Sequence, residues 1–208
     1  MKAHTKETQA TMTPNKALDF LKEGNQRFQN NLKANRNLLE QVNDTSEGQF
    51  PFATILSCID SRVSAELVFD QGLGDIFSIR IAGNFSNEDI LGSMEFGCKL
   101  AGTKLVVVLG HTSCGAIKGA CDHARLGNLT ALINKIEPAV DAVTEPKDES
   151  QRNSQNLEFV DKVAEKNVLL TINNIRQHSP VLAEMEDNGE IKIVGAMYDI
   201  STGEVVFY

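Results

Sequence analysis

Two short strings of reactive side chains each follow an apolar run in this sequence. The first is SCIDSR at residues 57–62, directly after FATIL at residues 52–56. The second is GHTSCG at residues 110–115, directly after KLVVVL at residues 104–109. Thiols and imidazoles bind metal ions, and ionised thiols are nucleophiles, so the two strings point to metal or thiol chemistry.

Cys58, His111 and Cys114 are the side chains of these strings that suit a metal ion. Zinc binds thiolate sulfur and imidazole nitrogen in a tetrahedron, and a catalytic zinc has three protein ligands with the fourth position open. The HxxC spacing crosses a predicted strand-to-helix turn, so both of its ends can reach one ion. With a second cysteine after another apolar strand, the pattern predicts a zinc site. The alternative that Cys58 and Cys114 are buried apolar side chains, as most free cysteines are, stays open here.

Strand-like runs alternate with stretches of helical periodicity along the chain. The strand-like runs are residues 52–56, 75–81, 104–109, 191–197 and 205–208. Helices are predicted from Thr13-Pro14, over 64–71 and 91–101, after His111, over 157–175 and from Ser179-Pro180. This alternation predicts an α/β fold with a mainly parallel central β-sheet flanked by helices, an antiparallel C-terminal edge hairpin and an N-terminal helical arm. Functional residues of such sheets collect at the carboxyl ends of strands, where both strings are placed.

The composition predicts a single domain over residues 1–208, with residues 1–13 as a flexible arm. A chain of 208 residues with 41% hydrophobic content suffices for one core. The formal net charge of -8 repels phosphate backbones and anionic lipids, so neither nucleic acid nor a membrane is an expected partner. No run approaches the ~18 apolar residues of a membrane span, and the polar N-terminal residues lack a signal core, which predicts a cytoplasmic location. A mature secreted form remains an open alternative.

The motifs CxDSR at residues 58–62 and HxxCG at residues 111–115 together resemble the β-class carbonic anhydrases. The likeness extends over most of the chain, through the strings GNQRF at 24–28, GDIF at 74–77, RIAGN at 80–84, GSMEF at 92–96 and YDISTG at 198–203. The resemblance implies reversible hydration of carbon dioxide to bicarbonate and a proton by a zinc-bound hydroxide, with one Zn²⁺ per subunit. It also implies a homodimer or homotetramer, because the family's cleft lies between subunits.

The resemblance assigns roles to nine residues. Those implied as zinc ligands are Cys58, His111 and Cys114. Those implied as the catalytic carboxylate–guanidinium pair are Asp60 and Arg62, with Arg62 keeping Asp60 ionised and turned away from the metal. Those implied to bind substrate are Gln49, Phe77, Ala82 and Gly115. Considered without the family, an exposed loop glutamine is the simpler interpretation of Gln49, and ordinary core that of Phe77 and Ala82.

Gln49, Phe77 and the absence of tryptophan match the subgroup that includes the plant enzymes and has a constitutively open zinc. Phe96 and Leu100 depart from the family, since many relatives have tyrosine at the first position and some have a proton-carrying histidine at the second. Two thiolate ligands cancel the formal charge of the ion, which predicts an activity profile shifted to alkaline pH.

Other functions compete with this interpretation. The same zinc site could hydrolyse another heterocumulene, carbon disulfide or carbonyl sulfide, and only substrate assays separate these reactions. A structural zinc-binding protein would need a fourth cysteine or histidine to close the tetrahedron. A thiol redox module is favoured by a CxxC motif, which this sequence lacks.

Overall fold

One five-stranded sheet runs through the structure, a computed structural model that describes residues 2–208. Its strands are β1 (Ala53–Ser57), β2 (Ile76–Arg80), β3 (Leu105–His111), β4 (Lys192–Tyr198) and β5 (Val205–Phe207). The order across the sheet is β2-β1-β3-β4-β5, with the first four strands parallel and β5 antiparallel to β4. The predicted α/β fold, with its mainly parallel sheet and antiparallel C-terminal hairpin, is confirmed.

Helices cover both faces of this sheet. They are α1 (Lys6–Ala10), α2 (Pro14–Gln29), α3 (Leu38–Asp44), α4 (Ala65–Val68), α5 (Glu88–Glu95), α6 (Gly115–Cys121), α7 (Gly127–Ala142), α8 (Leu157–His178) and α9 (Pro180–Asp187). A π-helical turn, Phe96–Leu100, extends α5, and Glu149–Gln151 forms a short 3₁₀ turn. Thr13 caps α2 and Ser179 caps α9, each through its side chain and each before a proline, as the sequence predicts.

The side chains of β3 alternate between two apolar cores, one on each face of the sheet. Val106 and Val108 pack into the larger core, which is formed with α5 to α9. Leu105, Val107 and Leu109 pack into the smaller core, formed with α2 and α4. Every residue of β1 and β3 is buried, as expected for parallel strands covered by helices on both sides.

Asp70 joins the N-terminal region to the end of α4. Arg27 of α2 donates to its Oδ2 at 2.6 Å, and Arg36 donates to its Oδ1 at 2.6 Å. The backbone N–H of Ala34 donates to Oδ2 at 3.0 Å. Burial acts to raise the pKa of Asp70, but these hydrogen bonds outweigh burial and lower the pKa below its usual value.

The N-terminal arm has defined contacts in this structure. Residues Lys6–Ala10 form α1, which begins with a capping box at Thr5. The amide Nε2 of Gln9 donates to the carbonyls of Pro51 at 2.7 Å and Ala101 at 2.8 Å, and Met12 is buried. Helix α1 thus lies within the arm for which a flexible conformation is predicted, and that flexibility in solution stays a prediction.

Helices α1, α3 and α7 are absent from the sequence-based expectations. Helix α7 begins without a side-chain cap and contains Pro138, and both features are signals against a helix. Burial of Ile133, Ile136 and Ala139 in the larger core stabilises it despite these signals. Helix α4 is shorter than predicted. None of the helices within residues 2–208 combines the length and apolarity needed to cross a bilayer.

Candidate metal centre and active site

The two reactive strings meet where the sheet changes its direction of winding. The chain passes from β1 to β2 on one side, and β3 lies on the other side of β1. Ser57 pairs with Leu109, so Cys58 follows the end of β1 beside the last residues of β3. His111 is the last residue of β3 rather than the first after it. In open α/β sheets, ligands bind in the crevice at such a switch point.

Cys58, His111 and Cys114 converge on one point. One ligand atom from each side chain lies within 4.8 Å of the other two, and the two sulfurs are 3.9 Å apart. Their exposed fractions are 3%, 0% and 1%, respectively. Within residues 2–208 this is the one group of three or more such side chains close enough to share an ion. The predicted ligand set is thus brought together in the structure.

His111 presents an unpartnered nitrogen to this cluster. Its Nδ1 lies 3.0 Å from the carbonyl oxygen of Thr112, so Nδ1 carries the proton and donates it. Its Nε2 is buried and has no hydrogen-bond partner among the described residues. A buried polar atom without a partner is unfavourable unless it binds a ligand, and a neutral imidazole nitrogen is a strong metal ligand. The residues present therefore fit a metal ion.

The two thiols of the cluster are strongly coupled. A hydrogen bond from Cys114 is the main cause that lowers the pKa of Cys58 to about 4. Burial opposes this shift, and contacts with His111 and the Gly83 N–H add to it. The same hydrogen bond to Cys58, together with burial, raises the pKa of Cys114 above its usual value. Cys58 would therefore bind a cation as a thiolate, and a metal ion bound by both sulfurs would release the proton of Cys114.

Asp60 and Arg62 form a two-pronged pair beside the cluster. The Nε and backbone N–H of Arg62 each donate to Oδ1 of Asp60 at 2.9 Å, and its Nη2 donates to Oδ2 at 2.7 Å. The hydrogen bonds from Arg62 lower the pKa of Asp60 well below its usual range. Asp60 is therefore ionised at neutral pH and points its oxygens at Arg62.

Arg80 holds the backbone that links Cys58 to Asp60. Its Nε donates to the carbonyl of Cys58 at 3.0 Å, and its Nη2 donates to the carbonyl of Asp60 at 2.6 Å. Arg80 ends β2, next to β1, so the neighbouring strand fixes the loop after β1. Arg80 is the first residue of the RIAGN string, but the family resemblance gives no role for this arginine.

Two turns next to the predicted ligands have left-handed backbone conformations. Ser113 has φ of 55°, and its N–H donates to Oδ1 of Asp161 at 2.8 Å. Gly83 has φ of 79°, and its N–H donates to the sulfur of Cys58 at 3.4 Å. The amide Nδ2 of Asn167 donates to the carbonyl of Gly83 at 2.8 Å. Asp161 and Asn167 lie on α8, far along the chain from both motifs, so sequence spacing gives no signal for them.

Comparison with known proteins assigns the chain to a family. Residues 53–205, from the start of β1 into β5, match the family model for carbonic anhydrase. The chain belongs to the carbonic anhydrase family. Carbonic anhydrase 2 of Mycobacterium tuberculosis is 34% identical over 199 residues, which are 93% of this chain and 92% of that protein.

Solved structures identify this carbonic anhydrase as β-class. The β-carbonic anhydrase CcaA matches with a TM-score of 0.72 at 27% identity, over 92% of this chain and 94% of that chain. Tetrameric β-carbonic anhydrases from Sordaria macrospora share the fold, with a TM-score of 0.67 at 21% identity over 81% of this chain and 89% of that chain. The resemblance drawn from the two motifs is confirmed, and the chain is a carbonic anhydrase enzyme.

The four predicted substrate-binding residues of this carbonic anhydrase are not all near the cluster. Gly115 follows Cys114 at the start of α6, and Ala82 precedes Gly83, whose N–H contacts Cys58. Their positions beside the ligands are compatible with the predicted roles, which stay predictions.

Gln49 and Phe77 lie away from the cluster within the single chain. Gln49 is exposed and comes before β1, at the end of the strand opposite Cys58. Phe77 pairs with Thr54, four residues before Cys58, or about 13 Å along an extended strand. Its ring lies 6.1 Å from that of Phe96, and both line a groove beside the edge strand β2. The roles of Gln49 and Phe77 stay predictions that need a second subunit.

Proposed function

We propose that this carbonic anhydrase reversibly hydrates carbon dioxide to bicarbonate and a proton with one zinc ion per subunit, held by Cys58, His111 and Cys114. The observation that carries the proposal is the buried group of two sulfurs and the unpartnered Nε2 within 4.8 Å of one another. Two thiolates and an imidazole are a donor set that zinc accepts, with one tetrahedral position left for solvent. The group has three members among residues 2–208, which argues against a closed structural site.

A bound zinc ion supplies a Lewis acid that lowers the pKa of water from ~15.7 toward ~7. Cys58 and Cys114 bring two negative charges to the centre, where a three-histidine site brings none. These charges oppose the formation of an anion at the fourth position, so we expect activity to rise toward alkaline pH.

Asp60 is proposed to orient the nucleophilic water by accepting a hydrogen bond from it. The bonds from Arg62 keep the carboxylate ionised and occupy both of its oxygens, so Asp60 remains an acceptor and stays out of the metal's coordination shell. Gly115, with an exposed backbone at the start of α6, is proposed to donate its N–H to bicarbonate as negative charge develops.

The substrate pocket is proposed to be completed by a second subunit. Gln49 is exposed, Phe77 is half-buried in the wall of the groove beside β2, and both are remote from the cluster of their own chain, as expected of residues that serve a neighbouring site. This arrangement needs at least a homodimer, and a homotetramer is compatible with it. The plant-like subgroup, an open zinc site at neutral pH and a cytoplasmic location are part of the same proposal.

Stopped-flow hydration of carbon dioxide tests the function directly. We expect rapid turnover by the zinc-loaded protein and loss of both zinc and turnover in Cys114→Ser. Cys121→Ser is the matched control, because Cys121 is equally buried but lies outside the cluster. A Cys114→Ser variant that keeps zinc and activity would show that the ligand set is wrong.

A further inference from the structure

One helix, α8, supplies side chains to both of the backbone turns that adjoin the metal ligands. Asp161 contacts the turn between His111 and Cys114, and Asn167 contacts the turn at Gly83. Six residues of an α-helix span about 9 Å, so the two contacts are held at a fixed separation by one rigid element. Neither Asp161 nor Asn167 belongs to the ligand group itself.

The contact of Asp161 stabilises an unfavourable backbone conformation. Ser113 has φ of 55°, a left-handed conformation that residues other than glycine rarely adopt. This conformation reverses the chain between His111 and Cys114, which lets both side chains reach one point. The carboxylate of Asp161 accepts the Ser113 N–H at 2.8 Å, a charge-assisted hydrogen bond that favours the reversed turn.

The contact of Asn167 acts on the sulfur of Cys58 through Gly83. Nδ2 of Asn167 donates to the Gly83 carbonyl at 2.8 Å, and the Gly83 N–H donates to the Cys58 sulfur at 3.4 Å. Asn167 is only 3% exposed, so solvent cannot readily replace its amide if the side chain is removed. Hydrogen bonds to a thiolate withdraw charge from it and alter the ligand that the metal experiences.

We propose that Asp161 and Asn167 are positioning residues of the metal centre. Asp161 sets the geometry of the His111–Cys114 turn, and Asn167 sets the N–H···S hydrogen bond to Cys58. The proposal rests on the proposed function in one respect, namely that this centre binds zinc. It assigns to α8 a role in metal retention as well as in core packing.

The test measures zinc release to a chelator and the absorption spectrum of the cobalt-substituted protein. The variants are Asp161→Ala and Asn167→Ala, with Asp161→Asn and Asn167→Asp as near-isosteric partners. Asn174→Ala is the matched control, because Asn174 also lies on α8 and donates to Ser86 Oγ at 2.7 Å, whereas the bonds to Ser113 and Gly83 come from Asp161 and Asn167.

We expect the two alanine variants to bind zinc ten- to a hundred-fold more weakly than the control, the usual effect of losing a residue that orients a ligand. Asp161→Asn should recover most of the affinity, because its amide oxygen still accepts the Ser113 N–H. Asn167→Asp should not recover it, because a carboxylate cannot donate to the Gly83 carbonyl. The thiolate-to-cobalt absorption band should shift in both Asn167 variants and stay in place in Asp161→Asn.

Equal zinc release from the control and both alanine variants would overturn the proposal, even if all three unfold at lower temperature. If an alanine variant does not fold, Asn167→Asp decides alone: release at the control rate overturns the proposal, and faster release supports it. Both readouts are taken without carbon dioxide. A wild-type protein that binds zinc but lacks hydration activity would therefore refute the proposed reaction and leave this inference standing.

Discussion

Replacement of Asp60 by asparagine separates a catalytic role from a structural one. The side chain of Arg62 donates to both carboxylate oxygens of Asp60, at 2.9 and 2.7 Å. In Asp60→Asn, the NH2 group of the amide would replace one of these oxygens and face an N–H donor of Arg62. The Arg62 side chain is 52% exposed, so the ion pair contributes little to folding, and we expect the melting temperature to fall by less than ~3 °C.

The expected effect on catalysis is far larger. Loss of one preorganised hydrogen-bond partner in an active site typically lowers kcat by about 100- to 1000-fold, or roughly 3 to 4 kcal/mol of transition-state stabilisation. We expect a decrease of this size in stopped-flow hydration by Asp60→Asn, with one zinc per chain retained. Asp148→Asn is a control, because Asp148 also accepts hydrogen bonds within an exposed turn.

Three results would refute this reasoning about Asp60. Loss of zinc from Asp60→Asn would mean that the carboxylate is a metal ligand rather than an orienting acceptor. Retention of zinc with less than a tenfold decrease in turnover would mean that Asp60 does not act in the chemical step. A large drop in melting temperature would instead indicate that the pair with Arg62 is structural.

Three further predictions concern the scaffold. Asp70→Asn should lower the free energy of unfolding in urea by roughly 3 kcal/mol at pH 7, because the buried side chain of Arg36 would lose its negatively charged partner. Since the folded-state pKa of Asp70 is lowered, the carboxylate stabilises the fold above its unfolded pKa of about 3.9, and the deficit should shrink as pH falls below ~4. Gly24→Ala should impair folding in a thermal melt, because its Cβ would lie 1.8 Å from the Phe69 carbonyl oxygen. Gln9→Ala should speed amide hydrogen exchange in α1 while leaving hydration activity unchanged, since two hydrogen bonds to the sheet's amino edge are lost.

The ligand cluster could be predicted from the sequence because its geometry follows from strand direction. Parallel strands end at one edge, so a cysteine after β1 and a histidine at the end of β3 must approach each other. The Asp60–Arg62 pair is local, two residues apart, and a short motif contains all of it. The cap residues Thr13 and Ser179 are local signals in the same sense.

The supporting residues could not be predicted in this way. Asp161 is 48 residues from Ser113, and Asn167 is 84 residues from Gly83, so their contacts depend on how α8 packs on the sheet. Helix α7 is not predictable from local signals for a related reason, since its stability comes from burial against the larger core. Sequence patterns report local preference and strand direction, whereas these features depend on tertiary packing.

The position of the site at the switch point explains how its parts divide their tasks. The ligands come from the ends of β1 and β3 and the first turn before α6, while Arg80 on β2 and the side chains of α8 hold the backbone around them. The ligand loops are therefore anchored from both sides of the crevice, and the cluster is almost closed to solvent from within the protomer. Gly115 and Ala82 lie beside this cluster, whereas Gln49 and Phe77, the other two residues predicted to contact substrate, lie before β1 and on the edge strand β2. Metal retention should accordingly depend on the single chain, whereas turnover should depend on assembly. Dilution below the dissociation constant of the proposed oligomer should therefore abolish hydration activity before zinc is lost. Simultaneous loss of activity and zinc would contradict this division of tasks.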